Sequence, residues 1–213
     1  MTPAQQRIRS WKENPVKFVW DNFRVVPDAW REDALWSFVD PMPRKRISLQ
    51  ACAGPGKSAL LAWVGWLFLS CYADKGYHPK GAAVSENRDN LKDNLWAEFA
   101  HWRALSPFLS EAFVWTKERI FAKDHPETWF ISARSWSKNA TAEEQGRALS
   151  GLHARFILCL VDESGAIPLA VLTRGEQAMA SESTKWGRIV QAGNPTSHGG
   201  MLYLAATLLR DQW

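Results

Sequence analysis

Apolar residues change their spacing several times along the chain, and each change predicts an element. Residues 1–43 are polar and punctuated by Trp and Pro, with helical spacing around 4–13 and over 28–39, until Pro41 and Pro43 close the region. Residues 47–51 (ISLQA) alternate and predict a short strand, led in by Arg44, Lys45 and Arg46. The run 59–73 (ALLAWVGWLFLSCYA) is apolar on every side. It falls short of the ~20 residues needed to cross a bilayer, so it predicts a helix buried in protein. Residues 81–85 predict a second strand, and 86 to about 102 a helix with Leu91, Leu95, Trp96 and Phe99 on one side.

Between 112 and 135 the pattern predicts short β segments, notably 113–115 and 128–132. A polar loop region over 135–151 contains AEEQGR at 142–147. Residues 156–161 (FILCLV) are continuously apolar and end in Asp162 and Glu163. Such a run suits a strand buried on both faces of a parallel sheet. A helix over about 168–180, a strand over 188–192 and the loop GNPT at 193–196 follow. Strands alternating with helices predict an α/β fold with a mainly parallel central sheet flanked by helices. There is no internal repeat and no low-complexity linker.

Composition adds bounds. With 213 residues, 46% of them hydrophobic, the chain can build one packed domain, and 23% charged residues is not a disordered composition. A net charge of +4 is a mild basic bias, compatible with a polyanionic partner. The 13 Trp residues, scattered from Trp11 to Trp213, are read as core and subunit-contact residues. Cys52, Cys71 and Cys159 have no metal-ligand spacing and fit a reducing, intracellular setting. The N-terminal residues lack the apolar run of a signal peptide.

Chemistry concentrates in three places. The stretch 51–60, ACAGPGKSAL, approaches the phosphate-loop pattern G-x-x-x-x-G-K-[ST], with Ala51 in place of the leading glycine. Gly54 and Gly56 let the backbone curl so that its N–H groups point inward at phosphate oxygens, with Ala53, Gly54, Pro55, Gly56, Lys57, Ser58 and Ala59 forming the ATP-binding loop. The following helix adds a favourable field for an anion. Lys57 would reach the β- and γ-phosphates of ATP, and the Ser58 hydroxyl would ligate Mg²⁺. An ordinary Gly/Pro turn capping a helix is the plainer reading of the same residues.

The second place is the strand end at Asp162 and Glu163. A parallel sheet brings its strand ends to one edge, where a ligand crevice forms. There Asp162 would hold Mg²⁺ and Glu163 would polarise the attacking water as general base. The competing reading is an acidic pair at a helix start. Third, Asn194 or Thr196 of GNPT would sense the γ-phosphate from the same edge, although Gly-Asn-Pro is also a good turn. Together the three describe a P-loop NTPase with a catalytic glutamate.

The order of these motifs resembles the ATPase domain of the large terminase subunit of tailed bacteriophages. The resemblance rests on PDAWR (27–31), ACAGPGKSA, LWAE (95–98), SGLHA (150–154), VDESGAIP (161–168) and AGNPT (192–196). It implies an ASCE/RecA-like fold and a single ATPase domain over 1–213, with 1–43 as an approach segment packed on a 44–213 core. It also implies a Walker A loop at Gly54 to Ser58, a Walker B pair at Asp162 and Glu163, and a coupling motif at Gly193 to Thr196. ATP hydrolysis would drive double-stranded DNA into a procapsid in the host cell cytoplasm. The implied partners are a portal protein, a small terminase subunit and further copies in a ring, usually of five.

The chain departs from the family pattern at three positions. Ala51 replaces the leading glycine. Arg31, beside Trp30 on the adenine side, stands where many relatives place an adenine-reading Gln. The loop also has no arginine, which leaves Arg147 and Arg155 as arginine-finger candidates, acting on a neighbour's ATP; either is equally readable as a surface or DNA-facing residue. Too few residues follow Thr196 for the nuclease domain of full-length members, so no DNA cleavage is expected of these residues. Lys80, Arg88, Lys92, Lys117, Arg119 and Lys123 are the basic residues available for DNA. Other readings are a helicase-like or remodelling ATPase and a non-catalytic, nucleotide-gated assembly subunit.

Overall fold

Among the described residues, seven strands form one sheet in the order β1-β7-β6-β2-β5-β4-β3. In chain order they are β1 (Arg44–Gln50), β2 (Lys80–Val84), β3 (Phe113–Trp115), β4 (Arg119–Ala122), β5 (Phe130–Ala133), β6 (Phe156–Val161) and β7 (Trp186–Gly193). Pairing is parallel from β1 through β7, β6 and β2 to β5, and antiparallel for β4 with β5 and β3. The expected α/β class and mainly parallel sheet are therefore present. The computed structural model describes residues 1–42, 44–136 and 139–213; Pro43, and Ser137 and Lys138 of the expected 135–151 loop, lie outside the described residues.

Successive residues of a strand face opposite sides, and the core divides accordingly. Leu158 and Leu160 of β6 join one apolar cluster with Val190 and Ala192 of β7, while Ile157, Cys159 and Val161 join the other with Ile189. The first cluster is covered by α1 (Pro3–Glu13), α2 (Pro15–Phe23), α3 (Ala29–Val39) and α4 (Lys57–Cys71). The run read as an all-round apolar helix is α4, buried at 13 positions from Lys57 to Cys71. No described helix is long and apolar enough to cross a membrane.

The 86–102 helix is a composite. A short α5 (Arg88–Asn90) passes through a π-helical segment, Leu91–Trp96, into α6 (Ala97–Leu105), followed by α7 (Pro107–Ala112). Leu91, Leu95, Trp96 and Phe99 are all buried, as their spacing requires. Four helices were not anticipated: α2, α7, α8 (Ala142–Gly146) and α10 (Met201–Ala206). Asn14 caps α2, its side chain accepting from the Lys17 N–H, with Pro15 at the first helical position. The expected 135–151 loop contains α8 (Ala142–Gly146), started by a capping box between Thr141 and Glu144. The second apolar cluster is covered by α9 (Leu169–Met179), with Met201 of α10 (Met201–Ala206). All three cysteines are free; Cys71 and Cys159 are buried and Cys52 is exposed.

Candidate active site

The chain leaves β1, β6 and β7 at the same sheet edge, and the three loops that follow build one site. After Gln50 the backbone curls through a loop with Gly54 at φ +88° and Gly56 at φ +86°. These left-handed angles are unstrained only for glycine. They turn the chain so that α4 starts at Lys57. The Lys57 ammonium is buried and donates to the carbonyls of Ala51 (3.1 Å) and Cys52 (2.6 Å) and to Asn194 Oδ1 (3.0 Å). It thereby ties the β1 loop to the loop after β7. Ala53 and Gly54 form the exposed crest, with Pro55 behind them, while Ser58 and Ala59 are half-buried in the first turn of α4.

The Ser58 hydroxyl donates to the Asp162 carboxylate, 3.3 and 3.2 Å from its two oxygens. Asp162 is completely buried. Burial first, and the neighbouring negative charge of Glu163 second, push its pKa up to about 6; the Ser58 hydroxyl, the Glu163 backbone and Lys57 oppose the rise. Glu163 itself is half-buried and has φ +51°, a left-handed conformation uncommon for a residue with a Cβ. Backbone strain of this kind concentrates at functional sites.

Two backbones nearly touch where the β6 and β7 loops meet. The Ser164 N–H donates to Ala192 O at 3.0 Å, and a Cβ at Gly193 would lie 2.9 Å from Ser164 N. Glycine is the side chain that this approach admits. The Asn194–Thr196 turn closes with a 2.8 Å backbone hydrogen bond, and Thr196 Oγ1 faces Gly165. Near this edge the hydroxyls of Ser85 and Ser164 are buried without hydrogen-bond partners.

The approach segment lies against the loop. Trp30 donates its indole N–H to Asp28 (3.0 Å), and Arg31 donates Nη2 to the carbonyl of Pro55. Sequence reasoning missed that Arg31 touches the phosphate loop itself, and also that Lys57 pairs with Asn194. Neither contact leaves a local signal, because each joins segments far apart in the chain. Lys57, Ser58, Asp162, Glu163, Asn194 and Thr196 are brought together at this edge.

Arg155 is not. It precedes β6 and so sits at the opposite edge, paired with Asp74 (3.6 Å) and stacked on Tyr77 at 4.6 Å. Arg147 is exposed, 3.4 Å from Glu143, and lines a groove of about 660 Å³ on the site's side of the sheet. The same groove collects Arg88, Lys92, Lys117, Arg119 and Arg134, with Glu118 as the acidic residue of its lining among the described residues. Four of the six basic residues singled out in the sequence therefore converge. Lys80 and Lys123 adjoin the other ends of β2 and β4. Arg134 was not anticipated; it spans from Ser132 to the carbonyls of Ala148 and Ser150 and fixes the groove wall.

No family model matches the sequence, and no curated protein matches it. Solved structures do. The large terminase of bacteriophage HK97 superposes with a TM-score of 0.66 at 16% identity, over 94% of this chain and 41% of that one. The ATPase domain of the Thermus phage P74-26 large terminase gives 0.56 at 14% identity, over 84% of this chain and 69% of that domain. The large terminase of a thermophilic bacteriophage gives 0.50 at 11%, covering 99% and 43%. The chain thus has the fold of these ATPase domains and spans less than half the length of the HK97 protein and of the thermophilic phage protein.

Proposed function

We propose that this chain is an ATP-hydrolysing motor domain of the viral genome-packaging kind. The observation that carries the reading is the convergence at one sheet edge of Lys57, Ser58, Asp162, Glu163 and Asn194, tied by the Ser58–Asp162 and Lys57–Asn194 hydrogen bonds. The fold it shares with terminase ATPase domains supports the same reading.

The residues fit Mg²⁺. A hydroxyl and a carboxylate are hard oxygen donors, and Mg²⁺ is commonly held by one or two protein ligands plus substrate phosphates. Asp162 is a buried carboxylate beside a second one, its pKa raised by burial first and by the Glu163 charge second, and a divalent cation would offset both. Among the described residues there is no cluster of three or more His, Cys, Asp or Glu around a common point. The metal, when bound, neutralises charge on the phosphate oxygens. Loop N–H groups and Lys57 bind and orient the polyphosphate. Glu163 takes the proton of the attacking water, and ADP and phosphate leave. Asn194, already bonded to Lys57, senses whether the γ-phosphate is present, and Thr196 packs this turn on the β6 loop.

The wider motor function extends the proposal. Double-stranded DNA is the track, gripped through the basic groove; Arg147, exposed in that groove, completes a neighbouring subunit's site in a ring. A portal protein and a small terminase subunit are the partners of such an assembly, working in the host cytoplasm. Two substitutions test the core of it. Lys57→Ala is expected to lower nucleotide affinity at least tenfold. Glu163→Gln is expected to bind ATP normally while hydrolysis falls at least a hundredfold. Normal turnover in Glu163→Gln removes the assigned base, and unchanged binding in Lys57→Ala removes the site.

A further inference from the structure

Arg31 occupies the first turn of α3 and is wedged against the loop before Lys57. Its Nη2 donates to Pro55 O, and a Cβ placed on Gly56 would overlap the guanidinium. The ring centroids of Trp30 and Trp63 lie 5.2 and 5.6 Å from its guanidinium carbon. Its side chain is 21% exposed, and its acidic partner among the described residues, Asp28, is 52% exposed at a loose 3.4 Å. Nε is buried and has no hydrogen-bond partner among the described residues.

A guanidinium has five N–H donors and is charged at every accessible pH. Here that charge is largely removed from water, and an exposed ion pair of this length compensates it weakly. Two ring faces and one carbonyl do not neutralise it. The geometry holds a planar, under-neutralised cation against a loop whose backbone N–H groups form an anion cup.

We propose that Arg31 is the second cation of the nucleotide site. It donates to the polyphosphate from α3 while Lys57 donates from α4; the proposal rests on the nucleotide-site reading above. A donor-only fork matches phosphate oxygens, bidentately where the geometry allows. It offers no acceptor for the N6 amino group of adenine. Arg31 therefore senses how many phosphates a nucleotide carries rather than which base. Its bond to Pro55 O gives it a second effect: the cation holds the loop in the curl that receives the phosphates.

The experiment measures binding of adenosine, AMP, ADP and a non-hydrolysable ATP analogue by calorimetry, together with thermal unfolding of the free protein. Arg31→Gln keeps an N–H donor for Pro55 O and removes the charge. Affinity for ADP and the analogue is expected to fall about tenfold or more. AMP should change less, adenosine hardly at all, and the melting temperature by no more than about 2 °C. Raising salt should weaken ADP binding less in the variant than in the wild type. Arg31→Lys should restore most of the loss. If Arg31→Gln does not fold, Arg31→Lys against Arg31→Met provides the same contrast.

Equal binding of all ligands by the charged and uncharged variants reduces Arg31 to a structural latch and overturns the proposal. An equal loss for adenosine and ADP overturns it as well, because the contact is then with the nucleoside. A wild-type protein that binds no nucleotide overturns the underlying reading of the site instead.

Discussion

Burying the Asp162 carboxylate beside Glu163 costs the free protein stability, and the cost can be measured. The native state holds the Asp162 proton more tightly than the unfolded chain does, because the folded pKa lies near 6 against an ordinary 3.8. Where the native state binds more protons, stability falls as pH rises. The loss sets in near pH 4 and is complete just above pH 6. About two pKa units correspond to about 3 kcal/mol, an upper figure in which the opposing Ser58 hydrogen bond is already included. In chelator at pH 7, Asp162→Asn is therefore expected to melt about 2–8 °C above the wild type. The gap should close as pH is lowered towards 4. The same variant should lose Mg²⁺-dependent ATP binding. A variant less stable than the wild type at pH 7 contradicts this account of Asp162.

At the scale of elements, α4 ties the site to the core, because one helix carries Lys57 and Ser58 at its start and the largest block of buried apolar side chains behind them. Trp66 is fully buried, donates its indole N–H to Phe99 O at 3.2 Å, and meets the Phe99 and Phe113 rings at 5.6 and 5.7 Å. Trp66→Ala removes these contacts and leaves a cavity, an expected loss of about 3–5 kcal/mol in urea unfolding. Trp66→Phe keeps most of the volume and should lose about half as much or less. A loss under about 1 kcal/mol in the alanine variant contradicts the role given to α4.

This helix also shows what the sequence carries. Its uninterrupted apolar character was legible, as were the glycine curl before it and the FILCLV strand that delivers Asp162 and Glu163, because each is encoded within a dozen neighbouring residues. The start of α8 carries a capping box in Thr141 and Glu144, but its polar composition read as a loop and the helix was missed. The placement of β7 between β1 and β6 was not legible. Nor was the docking of Arg31 on Pro55. Both depend on which distant surfaces bury together, and no local spacing records that.

For the molecule as a whole, the modest net charge of +4 conceals its arrangement. Arg88, Lys92, Lys117, Arg119, Arg134 and Arg147 reach one groove from α5, the π-helical segment, the β3–β4 turn, the start of β4, the end of β5 and the 147–150 turn; Glu118 lies in its lining, and Asp93, Glu127 and Glu143 pair with Lys92, Arg119 and Arg147 at its rim. Such a field attracts a polyanion whatever its sequence, and on the proposed function the polyanion is the DNA backbone. Arg88, Lys92 and Lys117 are exposed and lie outside the candidate catalytic set. Replacing all three by Ala should leave nucleotide affinity and basal hydrolysis unchanged while duplex DNA binding weakens at least tenfold. The slope of log affinity against log salt measures released counterions, about 0.9 per neutralised phosphate on duplex DNA. It should fall by about 2.7 if each side chain meets one phosphate. A slope identical to that of the wild type places the DNA track elsewhere on the molecule, and Arg147 would then stand in the groove for the neighbouring subunit alone.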